Sequence, residues 1–468
     1  MAIDSDVLVI GGGLAGMTAA IAAADAGAET RLVTASQSTL RQASGLIDVL
    51  GYPPSGSSSP TGADSPGGPV PRGDAGAPAD DSRGPLVDPF DAVADLPEGH
   101  PYERVGPDAI RDGLAAFDAI VEGYAGGHTD ANALVPTHGG AVKPTARYPD
   151  STAAGLASDG RDAVLVGFSS LPALDAPLAA AHLSEAGVPF AVDGVTVRFP
   201  GELRADATAT RYAELLERDE LPGGEVEGAS ATAVSDGGRE AASCRAVLAD
   251  RVADAVDAAD VDPQRIGFPA VLGEEHPTEV RAALADRLDA AVFEVPCGPP
   301  SLPGIRLERQ LRAALRDRDV SVADGRPVVD FQATTDRVDE VHVESAGGGT
   351  VPMAAEQYVL ATGGLVGTGI EADREAVREP VFDCHVAHPG DRYEWFADDV
   401  FGDHPFAAFG VAVDRSLRPL DAADAPEFAN LRAAGAVLGG YDLAAEKSGA
   451  GVSLATGHAA GATAAKGA

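Results

Sequence analysis

The residues Ser5-Asp-Val-Leu-Val-Ile10 run straight into Gly11-x-Gly13-x-x-Gly16, and an alanine-rich stretch from Met17 to Ala26 follows. A short apolar run of this kind suits a strand buried on both faces. Between such a strand and a helix, Gly11 permits a tight turn, Gly13 lets backbone approach a phosphate, and Gly16 lets the helix pack on the strand. The helix N-terminus then stabilises negative charge. Gly27 is placed to cap the helix and Thr30 to Thr34 predicts a second strand. The result is a βαβ start of about 30 residues that holds a nucleotide phosphate. Val7 to Ala24 is also 18 residues without a charge, close to the length of a membrane helix. Asp4 and Asp6 stand where a signal peptide carries Lys or Arg, and four glycines interrupt the run, so no membrane insertion is expected.

A dinucleotide usually finds a carboxylate about 20 residues further on, at the end of the second strand, to hold the adenosine ribose. Here that place reads Val33-Thr34-Ala35-Ser36. None of these accepts two ribose hydroxyls as a carboxylate does, so a mononucleotide fits at least as well.

Two later segments complement the first. Tyr358-Val-Leu-Ala-Thr-Gly-Gly364 reads as a buried strand ending in a glycine turn, after β-meander strands at about Val328 to Glu344 and Thr350 to Met353. Ala434-Gly435, Gly439-Gly-Tyr-Asp442 and Ser448-Gly-Ala-Gly-Val-Ser453 then lead into a final helix. Both resemble flavoprotein motifs, the last with a helix N-terminus aimed at the pyrimidine edge of an isoalloxazine, where charge arrives on reduction.

Between these segments, 21 of the 33 residues from Pro53 to Pro85 are Gly, Pro or Ser, which predicts a disordered surface insertion over about 53–89. A helix is expected at Pro107 to Glu122, a second strand–helix alternation from Ala163 to Phe199, a polar loop at 219–241, and a helix at Ile305 to Arg316. The expected fold is α/β: a discontinuous Rossmann-like FAD/NAD(P)-binding domain from 1–52 and 300–468, with an α/β or α+β cap domain inserted over 90–299.

The chain has 34 basic and 72 acidic side chains, a net charge of −38, and its only lysines are Lys143, Lys447 and Lys466. Such a surface repels nucleic acid and anionic lipid and suits a cytosol loaded with salt. Cys244, Cys297 and Cys384 lie far apart with no C-x-x-C spacing, so an iron–sulfur cluster, a zinc site and a disulfide framework are not expected.

Further segments bring out a family resemblance: Gln37-Ser38, Ser44-Gly-Leu-Ile-Asp48, His100-Pro-Tyr102, Gly304-Ile-Arg-Leu307, Arg378-Glu-Pro380, Phe409-Gly-Val411, Leu417-Arg-Pro419 and Ala436-Val-Leu-Gly-Gly-Tyr-Asp442. With the glycine motifs, they resemble the B-type flavoprotein subunits of the anaerobic glycerol-3-phosphate dehydrogenases over nearly the whole length. The resemblance implies oxidation of sn-glycerol 3-phosphate to dihydroxyacetone phosphate in anaerobic respiration, FMN (alternatively FAD) as the flavin, and a catalytic dimer with the A-type subunit of the same enzyme. It also implies an iron–sulfur, C-type subunit that passes electrons to membrane quinone, which would hold a cytoplasmic chain peripherally at the inner face of the membrane. A non-catalytic flavin relay or assembly subunit of the same complex is the alternative.

The expected cofactor-binding residues are Gly11, Gly13, Ala15, Gly16, Ser44, Gly45, Thr362, Gly363, Gly364, Gly435, Gly440, Gly449 and Gly451. Oxidation of a secondary alcohol needs a base for the hydroxyl proton and a cation for the substrate phosphate. His385, His388 and His138 are the candidate bases; Arg306 and Arg418, ahead of Arg392, are the candidate phosphate clamps. Lys447 is a candidate for stabilising reduced flavin, and no metal site is expected.

Overall fold

A computed structural model describes residues 3–54, 84–201, 203–204, 207–221, 243–400 and 402–468; most of the Gly/Pro/Ser-rich insertion and of the 219–241 loop lies outside them. The chain opens with strand β1 (Ile3–Ile10), helix α1 (Leu14–Asp25) and strand β2 (Thr30–Thr34). Val7, Leu8 and Val9 are wholly buried, as an interior strand demands.

Helix α2 (Pro101–Ile120) starts earlier than its sequence suggests. Pro107 does begin a helix, but a first turn from Pro101, capped by the His100 ring, precedes it and joins it through Gly106 at φ +79°. Leu114 and Phe117 of α2 lie in the same core as β1 and α1, although the sequence reading places this stretch in the inserted part.

Next come β3 (Ala163–Phe168), α3 (Ala176–Glu185), β4 (Val192–Val197), α4 (Cys244–Ala258), β5 (Arg265–Pro269), α5 (Pro277–Leu288) and β6 (Ala291–Val295). The four strands make an all-parallel sheet in the order β6-β5-β3-β4 with its own apolar core. Arg265 is wholly buried at its margin: its guanidinium donates to the carbonyls of Ala154, Leu156 and Arg161 and lies over the Phe190 ring at 4.3 Å.

Helix α6 (Leu302–Asp317) returns the chain to the first layer, followed by β7 (Ser321–Asp324), β8 (Val328–Thr334), β9 (Arg337–Glu344), β10 (Thr350–Leu360), β11 (Leu431–Ala433) and the closing helix α7 (Gly449–Gly467). The large sheet runs β7-β2-β1-β10-β9-β8, with β11 also on β10. β10 is long enough to serve two partners on one side: Thr350 to Ala354 pairs antiparallel with β9, and Tyr358 to Leu360 pairs parallel with β11. Its other side pairs parallel with β1. This is the α/β layering expected of the sequence.

Helices α1 and α7 approach very closely, because a Cβ at Gly457 or Gly461 would strike the backbone of Ala15 or Ala19. Small residues one turn apart on both helices make that contact possible.

Candidate functional site

The parallel strands of the large sheet end at one edge, and three of those ends carry the glycine turns. Gly11 donates its N–H to Val33 O at 2.8 Å with φ +122°, a conformation that favours glycine. A Cβ at Gly11 would collide with Ala361 O, and one at Gly16 with Gly11 O, so α1 sits directly on the turn. Gly13 differs. Apart from Thr39 Oγ1 at 4.0 Å, no atom of the described residues lies within 4 Å of the place its Cβ would take. It is also the N-cap of α1 and has no side chain to satisfy the first N–H groups, so a phosphate has both room and donors there.

Ala361 N–H donates to Ile10 O at 2.8 Å and Ala434 N–H to Leu360 O at 2.9 Å, which brings both later turns beside Gly11. A Cβ at Gly364 would lie 2.7 Å from Ala436 O, and one at Gly435 2.5 Å from the Ala15 methyl. Gly435 N–H donates to Thr456 Oγ1 of α7 at 2.9 Å. Thus Gly11, Gly13, Ala15, Gly16, Thr362, Gly363, Gly364 and Gly435 converge. Within this group the Thr362 hydroxyl is buried without a hydrogen-bond partner among the described residues. A buried unpaired hydroxyl costs about 1–3 kcal/mol unless a ligand satisfies it. An open cradle at Gly13 and an orphaned hydroxyl at Thr362 fit a bound nucleotide.

The remaining expected contacts sit differently. Gly451 donates its N–H to Asp48 O at 2.7 Å, and a Cβ there would meet Val49 Cα at 2.7 Å, so its close approach is to the chain itself. Gly440 packs on Gly99 O, and Gly449 meets only Leu443 at 3.6 Å. Ser44 and Gly45 lie beside the start of α6: a Cβ on Gly45 would sit 2.7 Å from that of Pro303, and Gly45 O accepts from Tyr124 Oη at 2.8 Å.

A buried pair behind the α7 N-terminus escaped sequence reading. His100 Nε2 meets Glu446 Oε2 at 3.1 Å while His100 Nδ1 accepts the Tyr102 N–H at 3.0 Å, so Nε2 is the ring nitrogen that donates to the carboxylate. Ser448 Oγ donates to the same carboxylate oxygen at 3.0 Å. The Tyr102 hydroxyl donates to Val49 O at 2.7 Å, and burial, then Asp48, Tyr441 and Glu446, push its pKa well up. Burial first, then Glu446 and Asp48, does the same to Tyr441, whose hydroxyl is buried and has no hydrogen-bond partner among the described residues.

The candidate catalytic side chains are scattered. Arg306 meets Glu294 with two hydrogen bonds, Nη1 to Oε2 at 2.6 Å and Nη2 to Oε1 at 2.9 Å, and its Nε donates to Gly273 O. Burial alone would raise the Glu294 pKa, but the Arg306 charge and hydrogen bonds from Arg306 and the Leu272 N–H hold it below the ordinary value. Sequence reasoning missed Glu294; a lone Glu in an apolar strand is the only sequence sign of it. Arg418 is tied to Asp414 (Nη2 to Oδ2 2.7 Å) in a local turn. His388 has both ring nitrogens engaged, with Val386 O at 2.7 Å and the Val377 N–H at 3.4 Å. His385 is exposed, its backbone N–H held by Glu427 Oε1 at 2.7 Å. His138 faces Pro296 O through Nδ1 at 3.3 Å and keeps Nε2 without a hydrogen bond to any described residue.

Lysines and cysteines add little: Lys447 takes a left-handed conformation at φ +53° and its ammonium donates to Ala444 O. Burial pushes the Cys244 and Cys297 thiols up to about 12. Among the described residues no cluster of His, Cys, Asp and Glu is arranged to hold a metal, and no helix is long and apolar enough to cross a membrane.

A model of the FAD binding domain family matches residues 6–68 and 70–452. A probable B-type subunit of anaerobic glycerol-3-phosphate dehydrogenase from Halobacterium salinarum is 58% identical over 466 residues, covering 100% of this chain and 99% of the relative. The B-type subunit of anaerobic glycerol-3-phosphate dehydrogenase from Pectobacterium atrosepticum is 29% identical over 461 residues, 96% of each chain. Among solved structures, the open conformation of a flavocytochrome c3 fumarate reductase has a TM-score of 0.34 at 12% identity, covering 99% of this chain and 78% of that one. A 3-ketosteroid-delta4-(5alpha)-dehydrogenase from Rhodococcus jostii RHA1 also has a TM-score of 0.34, at 11% identity and covering 99% and 97%. Likenesses so distant carry no argument about the reaction. The family match over most of the chain and the full-length identity agree with the glycine edge: the chain is an oxidoreductase of the FAD binding domain family and belongs, within it, to the B-type subunits of anaerobic glycerol-3-phosphate dehydrogenase.

Proposed function

We propose that the chain is the flavin-bearing subunit of a quinone-linked glycerol-3-phosphate dehydrogenase, oxidising sn-glycerol 3-phosphate to dihydroxyacetone phosphate. The observation that carries this reading is the convergence of Gly13, Thr362 and Gly435 on one sheet edge in a chain so similar to a named subunit of that enzyme. The flavin, when bound, supplies the hydride acceptor. Gly13 and the first turn of α1 would hold its phosphate, the Thr362 hydroxyl would be a donor to it, and the N-terminus of α7 would favour the negative charge that arrives on reduction.

His138 is the proposed base. Its support is an available Nε2 beside Pro296, two residues beyond the Glu294 that orients Arg306. His388, with both nitrogens engaged, has no such support. Arg306 is the proposed phosphate contact, with Glu294 fixing its guanidinium plane.

FMN is the proposed flavin, because no carboxylate ends β2 and the nearest one, Asp324 on β7, is held by Arg312 through two hydrogen bonds of 3.0 Å. FAD is the second reading, favoured by a cavity of about 520 Å³ at the same place, whose lining includes Ser36, Gln37 and the ion-paired Arg41, Glu308, Arg309 and Glu274. Mass spectrometry of the chromophore released by heat separates the two.

A non-catalytic electron relay within the same complex has support of its own: the Arg306 and Arg418 charges are already compensated by Glu294 and Asp414. Anaerobic mixing of the purified flavin-loaded chain with glycerol 3-phosphate tests the choice. Bleaching of the flavin without other subunits supports catalysis by this chain, and bleaching only after the A-type subunit is added supports the relay. The proposed electron route is through an iron–sulfur subunit to quinone, with the chain held at the inner membrane face by that iron–sulfur partner.

A further inference from the structure

Aromatic residues are scarce in this chain, yet six of its 23 fall between positions 393 and 409. Three large apolar side chains of this segment stand in solvent: Tyr393 is 78% exposed, Phe396 51% and Val400 78%. Leu443, at 40%, joins them, because the Leu443–Glu446 turn packs on the Pro405–Ala408 turn, which packs in turn on Arg392–Trp395. Phe406 bridges the two, its ring 5.7 Å from that of Phe396.

The segment is held in this shape from beneath. Asp391 caps the Arg392–Trp395 turn through the Tyr393 N–H at 3.0 Å, and Trp395 Nε1 donates to Pro389 O at 2.8 Å. Trp395 is buried against His388 and Phe409. His404 stitches the following loop: its Nδ1 accepts the Ala397 N–H at 3.1 Å, its Nε2 donates to Val400 O at 3.0 Å, and its ring stacks on Phe406. A loop fixed by so many internal bonds presents its apolar side chains with little entropy left to lose, which is the condition for an interaction hot spot. A cluster of exposed apolar groups in an otherwise charged surface marks a contact.

Charge decides what sits there. Asp391, Glu394, Asp398, Asp399 and Asp403 share the stretch that carries the apolar residues, against Arg392 within it and Lys447 at the end of the Leu443–Glu446 turn. Two copies of this chain would set like charges against each other, and an anionic lipid surface would be repelled. We propose that the face built by Tyr393, Phe396, Val400 and Leu443 seats a different protein chain, one that offers an apolar groove rimmed by Arg and Lys. This rests on the proposed function only in that the chain works within a complex. The face is continuous with the Leu443–Glu446 turn that leads into the α7 N-terminus, so a chain seated on it lies against the start of the closing helix.

The test is hydroxyl-radical footprinting of the native complex, purified at growth salt, against the flavin-loaded chain freed of its partners. Tyr393 and Phe396 are expected to be labelled in the free chain and protected by at least about tenfold in the complex. A Y393S/F396S chain is expected to keep its flavin content and melting temperature and to bind the partner at least about 100-fold more weakly, as removal of two hot-spot residues does. Equal labelling in both states, or unchanged partner binding by the variant, overturns the proposal. So does protection in the free chain as a monomer, protection that appears only with self-association, or protection conferred by phosphatidylglycerol vesicles alone. Because neither readout uses substrate turnover, a wrong substrate assignment leaves the result interpretable; a chain that purifies without any partner sinks the assembly reading instead.

Discussion

Arg306 and Glu294 clasp each other across the two sheets: the guanidinium comes from α6 of the large layer, the carboxylate from edge strand β6 of the smaller one, and two of their atoms meet at 2.6 Å. Glu294 is almost wholly buried, so its charge is compatible with the fold only while Arg306 is present. Replacing it by Gln leaves Arg306 with no carboxylate in its buried setting. We expect E294Q to lower unfolding free energy by ~3–5 kcal/mol, the usual loss when one partner of a buried pair is removed. The double variant R306M/E294Q is expected to lose less than E294Q alone. Urea titrations of all three, at fixed high salt, measure the coupling; additivity of the two substitutions contradicts it.

Acid has opposite effects on two buried carboxylates. Glu294 has a folded pKa below its ordinary value, so its contribution to stability is present above about pH 4.3 and is lost as pH falls through the lower folded value. Glu379 is raised: burial outweighs the N–H bonds it accepts from Phe382, Val381 and Cys384, and Glu427 adds to the rise. Its contribution is present below about pH 4.3 and is lost as pH climbs through the higher folded value. Urea midpoints followed across this range are expected to lose their acid-side fall in E294Q and their decline with rising pH in E379Q.

Gly13 and Gly16 belong to one motif but answer to different constraints. Gly16 lies against Gly11 O, so G16A is expected to destabilise the flavin-free chain by ~1–3 kcal/mol, as overpacking does. At Gly13 the backbone is extended at φ −81° and no protein atom blocks a methyl group. G13A is expected to change flavin-free stability by no more than about 1 kcal/mol, the scale of a helix cap, while flavin affinity falls at least about tenfold. Melting curves of the apoprotein and fluorescence titration with flavin separate the two effects.

This contrast marks how far sequence reading reaches. The strand, turn and helix around Gly11 were legible because each constraint lies within a few residues, and Ala361-Thr-Gly-Gly364 was legible for the same reason. The Arg306–Glu294 clasp was half seen, since the guanidinium was noticed but its partner strand was only an apolar run. His100 and Glu446 stand 346 residues apart, and nothing local signals that a ring and a carboxylate will meet in the dark behind α7. The glycine at 451 was read as making room for a ligand, whereas Val49 and Tyr102, distant in sequence, are what require it.

Tyr441 offers a substitution expected to stabilise. Its hydroxyl is buried with no hydrogen-bond partner among the described residues, so the folded state carries a desolvation cost that no bond among them offsets. Y441F removes the hydroxyl and keeps the ring that packs edge-on to His100 at 5.7 Å. The flavin-free variant is expected to be more stable by up to ~1 kcal/mol. A lower melting temperature instead would mean that the hydroxyl has a bonding role in the apoprotein.

The proposed base makes the sharpest functional contrast. His138 Nε2 is available for a proton, whereas each His388 nitrogen already has a partner and the ring packs between Trp395 and Phe409. H138N is expected to reduce kcat for glycerol 3-phosphate by ~10²–10⁴, the range for a lost general base, with melting temperature unchanged. H388N is expected to do the reverse: to lower the melting temperature, because Val386 O and the Val377 N–H lose their ring partners, while kcat per folded, flavin-loaded complex stays within about twofold. Stopped-flow reduction of flavin across pH, normalised to bound flavin, reads both variants. If H138N keeps its full rate, the proton leaves by another group and the relay reading gains the ground that His138 loses.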